Sequence, residues 1–168
     1  MAVVDSAEAG LRAVTRGATM IQLRAPSLSA RQVEAEALRL LANARVPVVV
    51  SSRCDISLAV GLAGVNLPEN DITVRDARGL LGGRIVSRSV HSVASALEAE
   101  KDGADFVIFG PVWSTPSHPG RLAQGLEALK SVASACTIPV IAIGGVTAER
   151  IEQVNAVCAG YAAISLFQ

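Results

Sequence analysis

The 168-residue sequence predicts an α/β fold, a TIM-type (β/α)8 barrel that is short at both ends. Three observations predict it. The chain is 51% hydrophobic but only 3% aromatic, so its apolar mass is Ala, Val, Leu and Ile. That is the stock of parallel strands covered by helices. One unit also recurs: a helix-like stretch ends at a small pair such as Gly-Ala, and a short apolar run follows. Lastly, helix-like and strand-like segments alternate throughout, which implies parallel strands joined by right-handed crossovers.

In chain order, Ala2 to Val4 reads as the stub of a first strand. Asp5-x-x-Glu8 opens a helix ending near Gly17. Gly17-Ala18 then leads into a strand over residues 19–23. Ser29-x-x-Gln32 is a capping box opening an amphipathic helix to about Asn43, and residues 46–50 form the next strand. Ala63-Gly64 leads into residues 65–67, and a further strand covers residues 84–87. Ser92 caps a helix to about Asp102, and Gly103-Ala104 leads into residues 105–109. A strand at 139–143, a helix from Thr147 to about Val157, and a last strand at 161–164 complete the series.

Seven clear strands and a stub favour a closed eightfold barrel, which abolishes exposed edges. An open doubly wound sheet is the alternative. A single domain over residues 1–168 is expected. The chain stops directly after the last strand, where a barrel has its eighth helix. A bare apolar flank is therefore expected, with a second copy covering it as a homodimer.

Fifteen basic and fifteen acidic residues cancel, so no charge argument points to nucleic acid or an acidic membrane surface. The longest apolar runs, 46–50 and 138–143, are far too short to span a bilayer. No basic segment followed by a long apolar stretch opens the chain, and a cytoplasmic location is expected. Cys54, Cys136 and Cys158 are odd in number, lack metal-ligand spacing, and read as small buried hydrophobes.

In such a barrel the chemistry sits in the loops after the strands. Gly144-Gly145 follows the penultimate strand and Ile164-Ser165 the last. Backbone N–H groups at those two strand ends commonly bind phosphate, and paired glycines let the chain approach an anion closely. Gln22 and Arg24 share one face of a strand end. Arg24 follows an apolar run, so it needs an anion from a ligand or from an acid such as Asp55 or Glu69. Ser89 and His91 are likewise two apart. His91 precedes the helix cap Ser92, which disfavours its charged form and suits it to act as base or as donor. Residues 110–120 form the longest polar loop and hold Trp113, Thr115, Ser117 and His118. Trp113 is suited to stacking on a heteroaromatic ring.

Five segments carry a resemblance: Ile21-Gln22-Leu23-Arg24; Arg53-Cys54-Asp55-Ile56-Ser57-Leu58-Ala59; Arg88-Ser89-Val90-His91-Ser92; Gly103 to Val112; and Ile141-Ala142-Ile143-Gly144-Gly145-Val146. In order and spacing the chain resembles the thiamine-phosphate synthase and TenI (thiazole tautomerase) family over essentially its whole length. The resemblance implies one of two activities. A synthase joins an aminopyrimidine pyrophosphate to a thiazole phosphate with magnesium. A TenI-type tautomerase aromatises a carboxylated thiazole phosphate.

The synthase pattern has Asn-Asp where this chain has Ser51-Ser52. It has Lys at Pro26 and Lys at His118, while its second metal-binding Asp is matched by Asp71. Arg88-Ser89-Val90-His91-Ser92 and Asn66-Leu67-Pro68 resemble the TenI branch. Against that branch, Pro111 stands where a TenI protein can carry its acid–base His. The expectation is a thiazole tautomerase, an isomerase without a cofactor, with magnesium needed only if the protein is a synthase. His91, then His118, would act as base. Gln22 and Arg24 would hold a carboxylate, with Ser89 beside them. Gly144, Gly145, Ile164 and Ser165 would bind phosphate, with Thr115 and Ser117 lining the loop. Two alternatives stand beside it: a synthase, and a non-catalytic thiazole-phosphate binder.

Overall fold

The computed structural model describes residues 1–115, 120 and 122–168. Eight parallel strands follow one another in sequence order: β1 Ala2–Val4, β2 Ile21–Leu23, β3 Val48–Ser51, β4 Gly64–Leu67, β5 Ile85–Val90, β6 Phe106–Phe109, β7 Val140–Ile143 and β8 Gly160–Ala162. The ring closes through a parallel bridge between Ala2 and Ala163. Val3 N–H donates to Ala163 O at 3.0 Å, and Ala163 N–H to Met1 O at 3.1 Å. A closed barrel, not an open sheet, is therefore the fold.

Helices lie between successive strands: α1 Ala7–Thr15, α2 Ala30–Asn43, α3 Cys54–Val60, α4 Val74–Leu81, α5 Val93–Lys101, α6 Gly125–Ala135 and α7 Ile151–Asn155. The Ser29–Gln32 capping box opens α2, and Ser92 caps α5 with Ser95 as its reciprocal partner. The cap of α1 is Ser6 rather than Asp5: its hydroxyl accepts from Ala9 N–H. Thr73 caps α4 in the same way. Thr147 opens a short 3-10 turn instead of a regular helix, and its side chain makes no cap bond. None of the described helices is long and apolar enough to cross a membrane.

Alternation along the strands divides two environments. Ile21, Val50, Leu67, Val86 and Phe109 face outward and join Leu40, Leu81 and Leu129 of the helices in one buried layer. Each such fully buried side chain contributes about 1.5–3 kcal/mol. The intervening residues Gln22, Val49, Asn66, Ser87 and Ile108 are also buried, and they fill the barrel interior. Space there is tight. A Cβ on Gly64 would lie 1.9 Å from the Ile85 carbonyl oxygen, so only glycine lets β4 approach β5.

The expected bare flank beside β1 is corrected. The closure leaves no open edge, and a 3-10 turn over Ser165–Phe167 folds back. Phe167 is 7% exposed, packs with Ala2, Ala13, Ala18 and Ala163, and stacks on Tyr161 with ring centroids 6.3 Å apart.

Candidate functional site

The chain turns sharply after β7, and that turn organises the mouth of the barrel. Gly144 and Gly145 both have positive φ, +93° and +66°. Three consecutive carbonyls are held. Ile143 O accepts from Val112 N–H at 2.9 Å, Gly144 O from Trp113 N–H at 3.0 Å, and Gly145 O from Arg150 Nη1 at 2.6 Å. In a trans peptide the N–H points opposite to the carbonyl. The N–H groups of Gly144, Gly145 and Val146 therefore turn away from these partners. Among the described residues none of the three meets a backbone acceptor, and the same holds for Ile164 and Ser165 at the end of β8. Successive N–H groups of this kind make an anion-binding concavity. On the side where a Cβ would stand, the glycines make room for a neighbouring loop: their Cβ positions lie 2.6 Å from Pro111 and 2.7 Å from Ser114 O, so the loop after β6 packs closely there.

Inside the barrel the sequence supplies a short polar ladder. Gln22 Nε2 donates to Ser51 Oγ at 2.7 Å. Ser87 Oγ donates to Asn66 Oδ1 at 3.0 Å, and Asn66 Nδ2 to Ser89 Oγ at 3.1 Å. Buried polar groups need such partners. Among the described residues no buried side-chain polar atom lacks one. Gln22 and Ser89 are thus on the interior face. Asn66 and Ser87 are not among the expected site residues, although their polarity inside apolar strands is the signal.

Arg88 and His91 have partners that the sequence reading did not foresee. Arg88 donates to the carbonyl oxygens of Glu69 and Ile72, and so grips the loop between β4 and α4. His91 Nδ1 donates to Gly110 O, since a carbonyl can only accept. Its Nε2 lies 3.7 Å from the Glu69 carboxylate. Gln124 Nε2 meets the same Gly110 O at 3.1 Å. His91 is therefore a tie between three segments of the mouth.

Arg24 is exposed, so the expected burial cost does not arise. It lies on a cleft of about 310 Å³ with Asp5, Arg12, Pro26, Ser27 and Ile164. The two acids proposed as its partners are engaged elsewhere. Asp55 is chelated by Arg53 at 2.6 and 2.8 Å, which holds its carboxyl at about 2, and Glu69 faces His91. Thr115 is half-buried at the mouth. Ser117 and His118 lie outside the described residues. All three cysteine thiols are pushed up by burial, in keeping with an unreactive role.

The resemblance also implies magnesium. Asp71 is the carboxylate at the matching position, and its Oδ1 already accepts from Ile72 N–H at 2.8 Å. Ser51 Oγ already accepts from Gln22, and Ser52 contributes only a neutral hydroxyl. Among the described residues no three His, Cys, Asp or Glu side chains converge. A hard cation takes carboxylate oxygens, so these residues do not by themselves fit a protein magnesium site.

The family model described as thiamine monophosphate synthase matches residues 2–167. A thiamine-phosphate synthase of Chloroflexus aurantiacus is 37% identical over 91% of this chain and 73% of its own length. One from Thermus thermophilus is 40% identical over 85% of this chain and 71% of its own. A solved structure of thiamine phosphate pyrophosphorylase from Pyrococcus furiosus superposes with a TM-score of 0.89 at 32% identity, covering 98% of this chain and 84% of that one.

These findings overturn the expectation of a tautomerase and of an isomerase, because the relatives carry the synthase name. The physical reason is visible in the motif that suggested the TenI branch. Arg88 and His91 hold backbone carbonyls and a loop, which is an architectural use that says nothing about proton transfer. By sequence and by fold, the chain belongs to the thiamine monophosphate synthase family.

Proposed function

We propose that this protein couples an aminopyrimidine pyrophosphate to a thiazole phosphate, the reaction of a thiamine-phosphate synthase. The observation that carries the reading is its 37–40% identity to proteins of that name over most of both chains. In this coupling a carbon–nitrogen bond forms and pyrophosphate leaves with its bonding electrons. The demand is to place two anionic substrates and to stabilise the leaving charge. The N–H groups of Gly144 and Gly145, with those of Ile164 and Ser165, receive the thiazole's phosphate. Arg24, beside the interior Gln22, supplies a cation for the pyrophosphate, and Ser89 and Thr115 line the space between. No group has to abstract a proton, so the structural tasks of His91 present no conflict.

A second reading is a thiazole-phosphate binder without turnover. Ser51 and Ser52 favour it, because they put neutral hydroxyls where the synthase pattern has Asn-Asp. The experiment is to incubate the protein with both substrates, with and without millimolar magnesium, and to quantify thiamine phosphate by chromatography alongside calorimetry of the thiazole phosphate. Product supports the synthase, and binding without product supports the binder. Neither binding nor product would overturn both.

A further inference from the structure

The turn after β7 is held by one side chain that the sequence reading passed over. Arg150 stands at the start of α7 and reaches back, its Nη1 donating to Gly145 O at 2.6 Å. Its guanidinium carbon also lies 4.9 Å from the centroid of the Trp113 ring. That is cation–π distance, and the flat guanidinium suits such a stack better than an ammonium does. Trp113 is fixed in turn, because its N–H donates to Gly144 O. The two residues thus clasp the Gly144-Gly145 segment from the loop after β6 and from α7.

We infer that Arg150 is a positioning residue for anion binding. By fixing the Gly145 carbonyl it turns the Val146 N–H toward the mouth, and Trp113 holds it in that place. The inference rests on the phosphate reading given above. The first two N–H groups are set by backbone bonds from Val112 and Trp113, which come with the fold. Among the described residues the third is set by a side chain alone, so removing that side chain frees one peptide plane. Two glycines precede it, and they offer little resistance to a flip. Arg150 needs no contact with the anion to act in this way.

Trp113 is the chain's sole tryptophan, so its emission reports directly on this clasp. The experiment titrates inorganic phosphate, then thiazole phosphate, into wild type, Arg150→Ala and Arg150→Lys. Emission gives the affinity, a thermal melt checks folding, and coupling assays give KM and kcat. For Arg150→Ala we expect affinity to fall roughly tenfold, the worth of one hydrogen bond to a charged group. KM for the thiazole phosphate should rise alike, with kcat changed less than about threefold. Arg150→Lys keeps the charge but loses the fork and the stack, and should stay several-fold weaker than wild type.

Full affinity in the Lys variant would mean that charge alone matters and would overturn the inference. So would wild-type affinity in Arg150→Ala. Wild type that binds no phosphate at all would instead overturn the phosphate reading. Should Arg150→Ala fail to melt cooperatively, Trp113→Ala measured by calorimetry carries the same test. An affinity unchanged from wild type would count against the clasp, and a several-fold loss with a normal melt would support it.

Discussion

The guanidinium of Arg88 donates to the backbone oxygens of Glu69 and Ile72, each at 2.6 Å, and so spans the loop that carries Asp71. Arg88 pairs in register with Leu67 at the end of β4, so its side chain starts beside the loop it holds. We expect Arg88→Ala to expose the amides of residues 69–73 to hydrogen exchange while core strand amides keep their protection. The global cost should be only about 1–2 kcal/mol, because the carbonyls it leaves can be hydrated. Coupling activity should fall as well, since the loop that carries Glu69 beside His91 loses its fixed position. Unchanged exchange in this loop would show that the turn holds itself.

Gly145→Ala should be damaging for two reasons. Its φ of +66° is unfavourable for any residue with a Cβ, and that Cβ would meet Ser114 O and Trp113 Cβ, each at 2.7 Å. Together these should cost about 1–3 kcal/mol in a denaturant titration. Phosphate affinity should fall with stability. A variant that melts normally and binds normally would refute the tight fit of the loop after β6 against this turn.

How much of this was readable in the sequence depends on the range of the interaction. The alternation of helix and strand, the Ser29 capping box and the Ser92 cap are local, and each appears in the structure where the sequence places it. The bounds of β1 agree and those of the other strands differ by a residue or more; β5 extends to Val90 and takes in Ser89. The positions of Gln22 and of the Gly144-Gly145 turn follow from the fold. The roles of Arg88, His91 and Arg150 do not. Arg88 and His91 each reach a carbonyl on another loop, Arg150 reaches back to Gly145 within its own connection, and no spacing rule along one strand shows which carbonyl will be within reach. The tautomerase expectation fails at this point, because the side chains of its motif tie loops.

Asn66→Ala should unsettle the barrel interior. The amide both accepts from Ser87 and donates to Ser89. Ser87 keeps a second acceptor in Val65 O at 3.2 Å, so only part of the network is orphaned. We expect a loss of about 1–3 kcal/mol in urea unfolding, since a cavity and a broken polar bond arise together. Asn66→Asp should be worse than Ala, because it buries a charge among hydroxyls. A variant as stable as wild type would imply that water takes over the amide's bonds.

Cys54 offers a report on Asp71 that is independent of catalysis. Its thiol is raised above the ordinary value of 9.0, first by burial, then by the charge of Asp71, and then by that of Asp55. The thiolate is the form that reacts with an alkylating agent, and a neighbouring negative charge disfavours it. Removing the charge of Asp71 must therefore lower the thiol pKa. We expect the pH profile of Cys54 alkylation, followed by mass spectrometry, to move to lower pH in Asp71→Asn. Burial limits the absolute rate, because Cys54 is only 7% exposed. The pH midpoint is accordingly the quantity to compare. Cys136 serves as the control, since its thiol is raised by burial and by Glu100, not by Asp71, and its profile should stay in place. A Cys54 midpoint that does not move would mean that solvent screens Asp71 from α3, and that its carboxylate points away from the β3 side of the mouth.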